Sequence, residues 1–182
     1  MREHTFAVYV EDQPGVLNRV SSLFRRRGFN IHSLSVGTTE TPGVSRMTVV
    51  VRTDDGGAAR IRAHVGKLIP VLRIESLSDQ TSVVRDLALI KVKADHENRA
   101  SVVQLVQVFD GRVVDVAPDS LVVEICASEN KVDGLIEVLR PYGVLEMVRT
   151  GRVALGRGSA IDPSRDNPSI EPEAQHGLSF SV

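Results

Sequence analysis

The residues best placed to bind something are Asp12, Gln13, Pro14 and Gly15, between an alternating apolar segment and a stretch with helical spacing. Val16, Leu17, Val20, Leu23 and Phe24 fall at i, i+1, i+4, i+7 and i+8, one face of a helix. The first N–H groups of such a helix have no partner within it, and the dipole there favours an anion such as a carboxylate. Gly15 lets another group approach the backbone closely, and Pro14 suits a first helical turn because its missing N–H is not needed there. Gly15 also has a simpler reading, as a turn residue. Arg25, Arg26 and Arg27 load the last turn with cations, and Gly28 follows as the residue just past the end. The chemistry on offer is capture of a small anionic group.

Residue patterns for catalysis are missing. His4, His32, His64, His96 and His176 are scattered, and no pair has metal-ligand spacing. Gly151-Arg152-Val153-Ala154-Leu155-Gly156 imitates the first part of a phosphate-binding loop. Arg157-Gly158 then stands where Lys and Ser or Thr are required, and no helical pattern follows, so the match is false. Cys126 lies in the apolar run LVVEICA and reads as a buried, inert thiol.

The elements that position these residues follow from periodicity. Phe6, Val8 and Val10 alternate as a first strand; the helix comes next, then a strand over Ile31 to Thr38. Pro42-Gly43 marks a turn, Met47 to Arg52 a third strand, and Asp54-Asp55-Gly56-Gly57 another turn. Ile61, Val65 and Leu68 mark a second helix that ends before Pro70, and Val71 to Leu77 a fourth strand. The order is β-α-β-β-α-β, a ferredoxin-like split unit. The same order then repeats. Leu87 to Ala94 is a strand, Val102, Leu105, Val106 and Phe109 a helix face ended by Gly111, and Val113 to Val116 and Leu121 to Ile125 two strands. Val132, Leu135, Ile136 and Leu139 form a last helix stopped by Pro141, and Val144 to Arg149 closes the unit. The second half has Asp95-His96-Glu97-Asn98 where the first has Pro-Gly, so a duplicate of the helix-start site is not expected there; Asp95 reads as a cap.

Composition bounds the class. With 182 residues, 42% hydrophobic and only 4% aromatic with no Trp, the chain can build an aliphatic core in one ordinary domain or two small ones. Lys plus Arg total 22 against 23 acids, a formal net charge of -1, which argues against a nucleic-acid binder. One cysteine cannot form an internal disulfide, no apolar signal region opens the chain, and no 18-residue apolar run occurs; a soluble, cytoplasmic protein is expected.

The pattern DQPGVLNRVSSLFRRRGFNI, followed by SLSVG and SRMTVVV, resembles the ACT domain of the small, regulatory subunit of acetolactate synthase, and the likeness runs over about residues 3 to 158. The ACT fold alone serves many amino-acid-sensing proteins; RRRGFNIHSLSVG with SRMTVVV is more particular to this subunit. The resemblance implies an α+β fold of two ferredoxin-like modules, the first an ACT domain; beyond it, several acids and the lack of any helical or strand period read as a mobile tail. The boundaries read as 1–78 for the ACT domain, 79–85 for a linker, 86–158 for the C-terminal module and 159–182 for the tail, where Pro163, Pro168 and Pro172 interrupt any period.

It further implies that the chain has no catalytic site. It would activate a separate catalytic subunit and confer feedback inhibition by valine or another branched-chain amino acid. Thiamine diphosphate, magnesium and FAD are expected on that partner and not here. Two ACT domains are expected to pair into a homodimer with the effector at their seam, between the Gly loop of one chain and the second strand of the other, Asn30 and Ile31 closing from the partner chain. The effector-binding residues implied are Asp12, Gln13, Pro14, Gly15, Val16, Leu17, Asn30 and Ile31. Asp12 is either a helix cap or a carboxylate for an ammonium group. Asn30 either satisfies a turn or contacts the bound amino acid. Val16, Leu17 and Ile31 suit either a pocket wall or the core. An amino-acid-sensing transcription factor is opposed by the lack of a helix-turn-helix pattern, and an independent enzyme by the missing catalytic patterns.

Overall fold

A computed structural model describes residues 1–158 of the chain; the tail expected from 159 onward lies outside the described residues. In the first module β1 (Arg2–Glu11), α1 (Val16–Arg26), β2 (Ile31–Thr38), β3 (Val44–Thr53), α2 (Asp55–Val65) and β4 (Val71–Ser76) follow in order. The second repeats it with β5 (Ser82–Lys93), α3 (Arg99–Val108), β6 (Arg112–Val116), β7 (Ser120–Ala127), α4 (Glu129–Leu139) and β8 (Val144–Arg149), and β9 (Val153–Gly156) is added at the end. The first sheet runs β2-β3-β1-β4 and the second β6-β7-β5-β8, with antiparallel neighbours.

Each module has its own aliphatic core between sheet and helices. Phe6, Val8, Val10, Met47, Val49 and Val51 from the first sheet meet Val16, Val20, Phe24, Ile61 and Val65 from α1 and α2. Ala88, Ile90, Val92, Leu121, Val123 and Ile125 meet Val102, Val106, Val132, Leu135 and Leu139 in the second. The two-residue period of the strands and the helical spacing supply these faces.

The outer face of the first sheet is covered as well. β9 pairs with the first four residues of β5, Ser82–Arg85, and this ribbon lies across β1. Ala7 is 0% exposed and packs with Leu77 and Ala154, so β1 is buried on both faces. Arg46 on β3 donates to the Ala154 carbonyl at 2.5 Å and to the Tyr9 hydroxyl at 3.2 Å. The segment read as a linker, 79–85, therefore enters β5 at Ser82, and the false phosphate-loop motif contributes a strand.

Two local expectations change. Asp54-Asp55-Gly56-Gly57 starts α2 instead of forming a separate turn, because the Asp54 carboxylate accepts from Gly57 N at 2.5 Å and caps the helix. Cys126 is exposed, not buried. Along β7, Leu121, Val123 and Ile125 face the core, so Glu124 and Cys126 take the open face.

Close packing at Ala154 predicts a specific sensitivity. Ala154→Leu adds volume where Ala7 and Leu77 leave none and is expected to cost about 1–3 kcal/mol. Leu155→Ala, one residue on and 59% exposed, is expected to stay within about 0.5 kcal/mol of wild type. Urea unfolding midpoints of the two variants check the contrast.

Candidate functional site

The start of α1 is an open helix end. Gly15 is its N-cap, with φ +85°, no side chain caps it, and no acid lies in its first turn. Pro14 consequently precedes the helix in the turn rather than lying in its first turn. Val16 N reaches Gln13 O at 3.4 Å, while Gln13 N bonds Glu11 O at 3.0 Å. Among the described residues, no hydrogen bond of the chain ends on the N–H of Leu17 or Asn18. The loop is held from both sides: Glu11 N donates to Pro70 O at 2.9 Å and Asp12 N to Gly43 O at 2.8 Å. A Cβ built on Gly15 meets nothing within 4 Å, so the backbone here faces open space.

Asp12 is not the helix cap. Its Oδ1 accepts from Ser45 Oγ at 3.1 Å, which ties it to the start of β3. Three residues separate it from the first helical turn, too far along the chain for the usual capping geometry. In the second module Asp95 plays a related local part. Its Oδ1 accepts from Glu97 N at 3.0 Å and Asn98 N at 3.1 Å, closing the turn ahead of α3, whose N-cap position is Asn98.

Among the apolar positions, Val16 is 5% exposed and belongs to the core, whereas Leu17 is 43% exposed beside the helix start. Ile31 is partly buried against the same core. Asp12, Gln13, Pro14 and Gly15 are exposed and adjacent. Asn30 and Ile31 are not with them. Eleven residues of α1 lie between, and a helix of that length spans about 16 Å. Within one chain the candidate residues therefore fall into two groups, at opposite ends of α1.

Sequence reasoning missed a second concave region, between the modules. A cleft of about 360 Å³ is bordered by His32, Ser33 and Leu34 on β2, Val84 and Asp86 on β5, and the segment from Arg149 to Arg152. Arg149 Nε donates to Asp86 Oδ2 at 2.9 Å, and its Nη1 to Asp133 Oδ1 at 2.7 Å. Arg152 bridges Glu3 on β1, at 2.7 Å, and Glu129 on α4. Burial alone would lower both guanidinium pKa values. The hydrogen bonds and charges of their carboxylate partners outweigh it and leave both raised, so both stay cationic. One signal was present in the sequence. Asp86 shares the two-residue parity of Ala88, Ile90 and Val92, which puts a carboxylate on a core-facing position.

Comparison with known proteins identifies the family. Residues 6–73 match the family model described as the AHAS small subunit-like ACT domain, and residues 85–158 that of the small subunit of acetolactate synthase. Acetolactate synthase small subunits of Mycobacterium bovis and Mycolicibacterium smegmatis are each 48% identical, over 86% and 85% of this chain and 94% and 91% of theirs. The chain belongs to the acetolactate synthase small-subunit family. The crystal structure of the Thermotoga maritima acetolactate synthase small subunit matches with a TM-score of 0.81 and 39% identity, covering 87% of this chain and 99% of that one. The first module is accordingly an ACT domain, and membership of this small-subunit family makes the chain's role regulatory. No helix among the described residues is long and apolar enough to cross a membrane.

The left-handed backbone at Gly15 sets the tolerance of the loop. Gly15→Ala meets no steric neighbour, yet a side chain at positive φ costs roughly 1–2 kcal/mol. Gly15→Asn is expected to cost less, because Asn visits this region more readily. Thermal melts are expected to rank the proteins wild type, Asn, then Ala.

Proposed function

We propose that the chain activates a separate acetolactate synthase catalytic subunit and makes it sensitive to valine or another branched-chain amino acid. The observation that carries this reading is the start of α1, uncapped, free of acids, with Gly15 at positive φ and open space above it. There the N–H groups of the first turn would receive the effector's carboxylate. Leu17 would supply apolar contact, and Asp12, beyond its bond to Ser45, a negative charge for the ammonium group.

Homodimerisation would complete the site. β2 is an edge strand of the first sheet and runs parallel to β1, since both pair antiparallel with β3. Thr38 and Glu11 thus lie level with the start of β3, and Ile31 with its end. Antiparallel pairing of two β2 edges about a two-fold axis would carry the partner's Asn30 and Ile31 to the level of Thr38, and so of the Gly15 loop. The same pairing would remove an exposed sheet edge. Thiamine diphosphate, magnesium and FAD would reside on the catalytic subunit, with this chain binding none of them and working by a coupling free energy of about 1–3 kcal/mol. Within the cytoplasm, such a complex would set the rate of branched-chain amino-acid synthesis.

The reading is tested by adding the chain to the catalytic subunit and assaying acetolactate across a valine titration. Gly15→Asp places a charge about 4 Å from the effector carboxylate, a repulsion of about 1 kcal/mol in water and roughly 4 at an effective dielectric of 20. At about 1.4 kcal/mol per decade, valine affinity is expected to fall at least about tenfold while activation persists. Gly15→Asn, with nearly the same shape and no charge, is expected to lose less. Unchanged valine sensitivity in a folded, activating Gly15→Asp protein would remove the carboxylate from this helix start.

A further inference from the structure

The second sheet has a face that its helices leave bare. Along β5, Ala88, Ile90 and Val92 point into the core, so Leu87 and Leu89 take the opposite face. Strand pairing sets Cys126 beside Leu87, Val148 beside Leu89 and Val122 beside Lys91 on that same face. Val148 is 61% exposed and Leu89 36%, Cys126 is exposed, and Leu87 and Val122 are half-buried. Beyond Arg85 the face continues with Val83, also partly open. Adjoining apolar side chains of this kind mark an interaction surface, where single ones would mean nothing. The charged groups around them are Arg85, Lys91, Lys93 and Arg112 against Asp115, Glu124 and Glu146, four cations against three acids, with Glu124 already taken by Arg112.

The chain itself holds a segment that fits this face. Gly156 pairs with Ser82 and Arg157 N donates to Thr81 O at 2.9 Å, so residues 159–182 set out from the Val83 end of the band. Their first part is acidic, with Asp162, Asp166, Glu171 and Glu173 against Arg165. Their last part alternates, Leu178, Phe180 and Val182 with Ser179 and Ser181 between, which gives an extended chain one apolar side. Twenty residues from Gly158 to Leu178 can span about 65 Å, more than twice the roughly 24 Å from Ser82 to Leu89 along β5.

We propose that residues 159–182 fold back over the open face of the second sheet, with Leu178, Phe180 and Val182 seated against Leu87, Leu89, Val122 and Val148, and with the acids ahead of them passing Arg85. Composition alone reads this tail as mobile; the band supplies the apolar surface that composition cannot show. The tail would do for the second sheet what the β5–β9 ribbon does for the first. While seated, it would close this face to a second copy of the chain or to another protein.

Cys126 is the only cysteine and lies in the band, so its reaction with N-ethylmaleimide reads the cover in the full chain. The thiol is expected to react at least about tenfold more slowly in wild type than in a Leu178→Ser, Phe180→Ser double variant, at a rate independent of protein concentration. Leu89→Gln, which changes the seat instead of the tail, is expected to speed the reaction as well. If Leu89→Gln fails to fold, the tail variant decides, since its changes lie outside both cores. Methyl NMR of wild type is expected to show contacts from Leu178 to Leu89 or Val148. Equal rates in wild type and the tail variant would overturn the proposal. So would protection that survives the tail changes and grows with protein concentration, which would assign the face to a second copy, or protection that appears only on adding the catalytic subunit, which would assign it to that partner.

Discussion

A four-stranded sheet with both helices on one side has a bare face, and covering that face is the constraint on which this molecule's arrangement depends. The β5–β9 ribbon meets it, and the contact works because the residues at the crossing are small. Ala7 and Ala154 let two layers of backbone approach, and Arg46 and Arg152 then fix the ribbon by bonding to it or across it. Once the ribbon is seated there, β5 can continue beyond Arg85 as the central partner of β7 and β8. One uninterrupted strand thus belongs to the outer layer of the first module and to the core of the second. The modules are joined by a shared structural member more than by a hinge.

The repeated β-α-β-β-α-β order was legible because each element is long enough to show its period. β2 was read with the bounds it has, Ile31 to Thr38. What escaped the sequence was short or competed with a local signal. Val153–Gly156 offers only four residues, too few for alternation to stand out, and its meaning depends on a partner about seventy residues earlier. The start of α2 was hidden because Asp-Asp-Gly-Gly suits a turn as well as a cap. Cys126 was misplaced although Glu124, two residues before it on the same face of β7, marked that face as open. At the candidate site, residue types alone pointed to Gly15 and its loop. The resemblance had already assigned Asn30 and Ile31 to the partner chain, and the fold adds the distance, set by the length of α1, that separates them from the loop within one chain.

β2 lies in both regions of interest. Ile31, at its start, is one of the candidate effector residues, and His32 to Leu34 border the cleft between the modules. The register shifts between Ile31 and Ser33, a local irregularity that re-aims the side chains that follow. No loop or mobile segment intervenes between these residues. A tilt or slide of β2 would therefore alter the cleft directly.

The pairing of the first strand with a late ribbon also has a consequence during synthesis. Thr5 and its partner Arg152 are 147 positions apart. At about 5–20 residues per second, a ribosome needs roughly 7–30 seconds to make the intervening chain. Throughout that interval the ACT module can close its own core, yet Ala7 and Val50 face water on the side the ribbon will occupy. The nascent first sheet is in that period a surface able to receive the wrong strand. Its safety rests on the polar groups of that outer face, Glu3, Thr5, Arg46 and Thr48, of which Glu3 and Thr5 later accept from Arg152 and Arg46 donates to the Ala154 carbonyl.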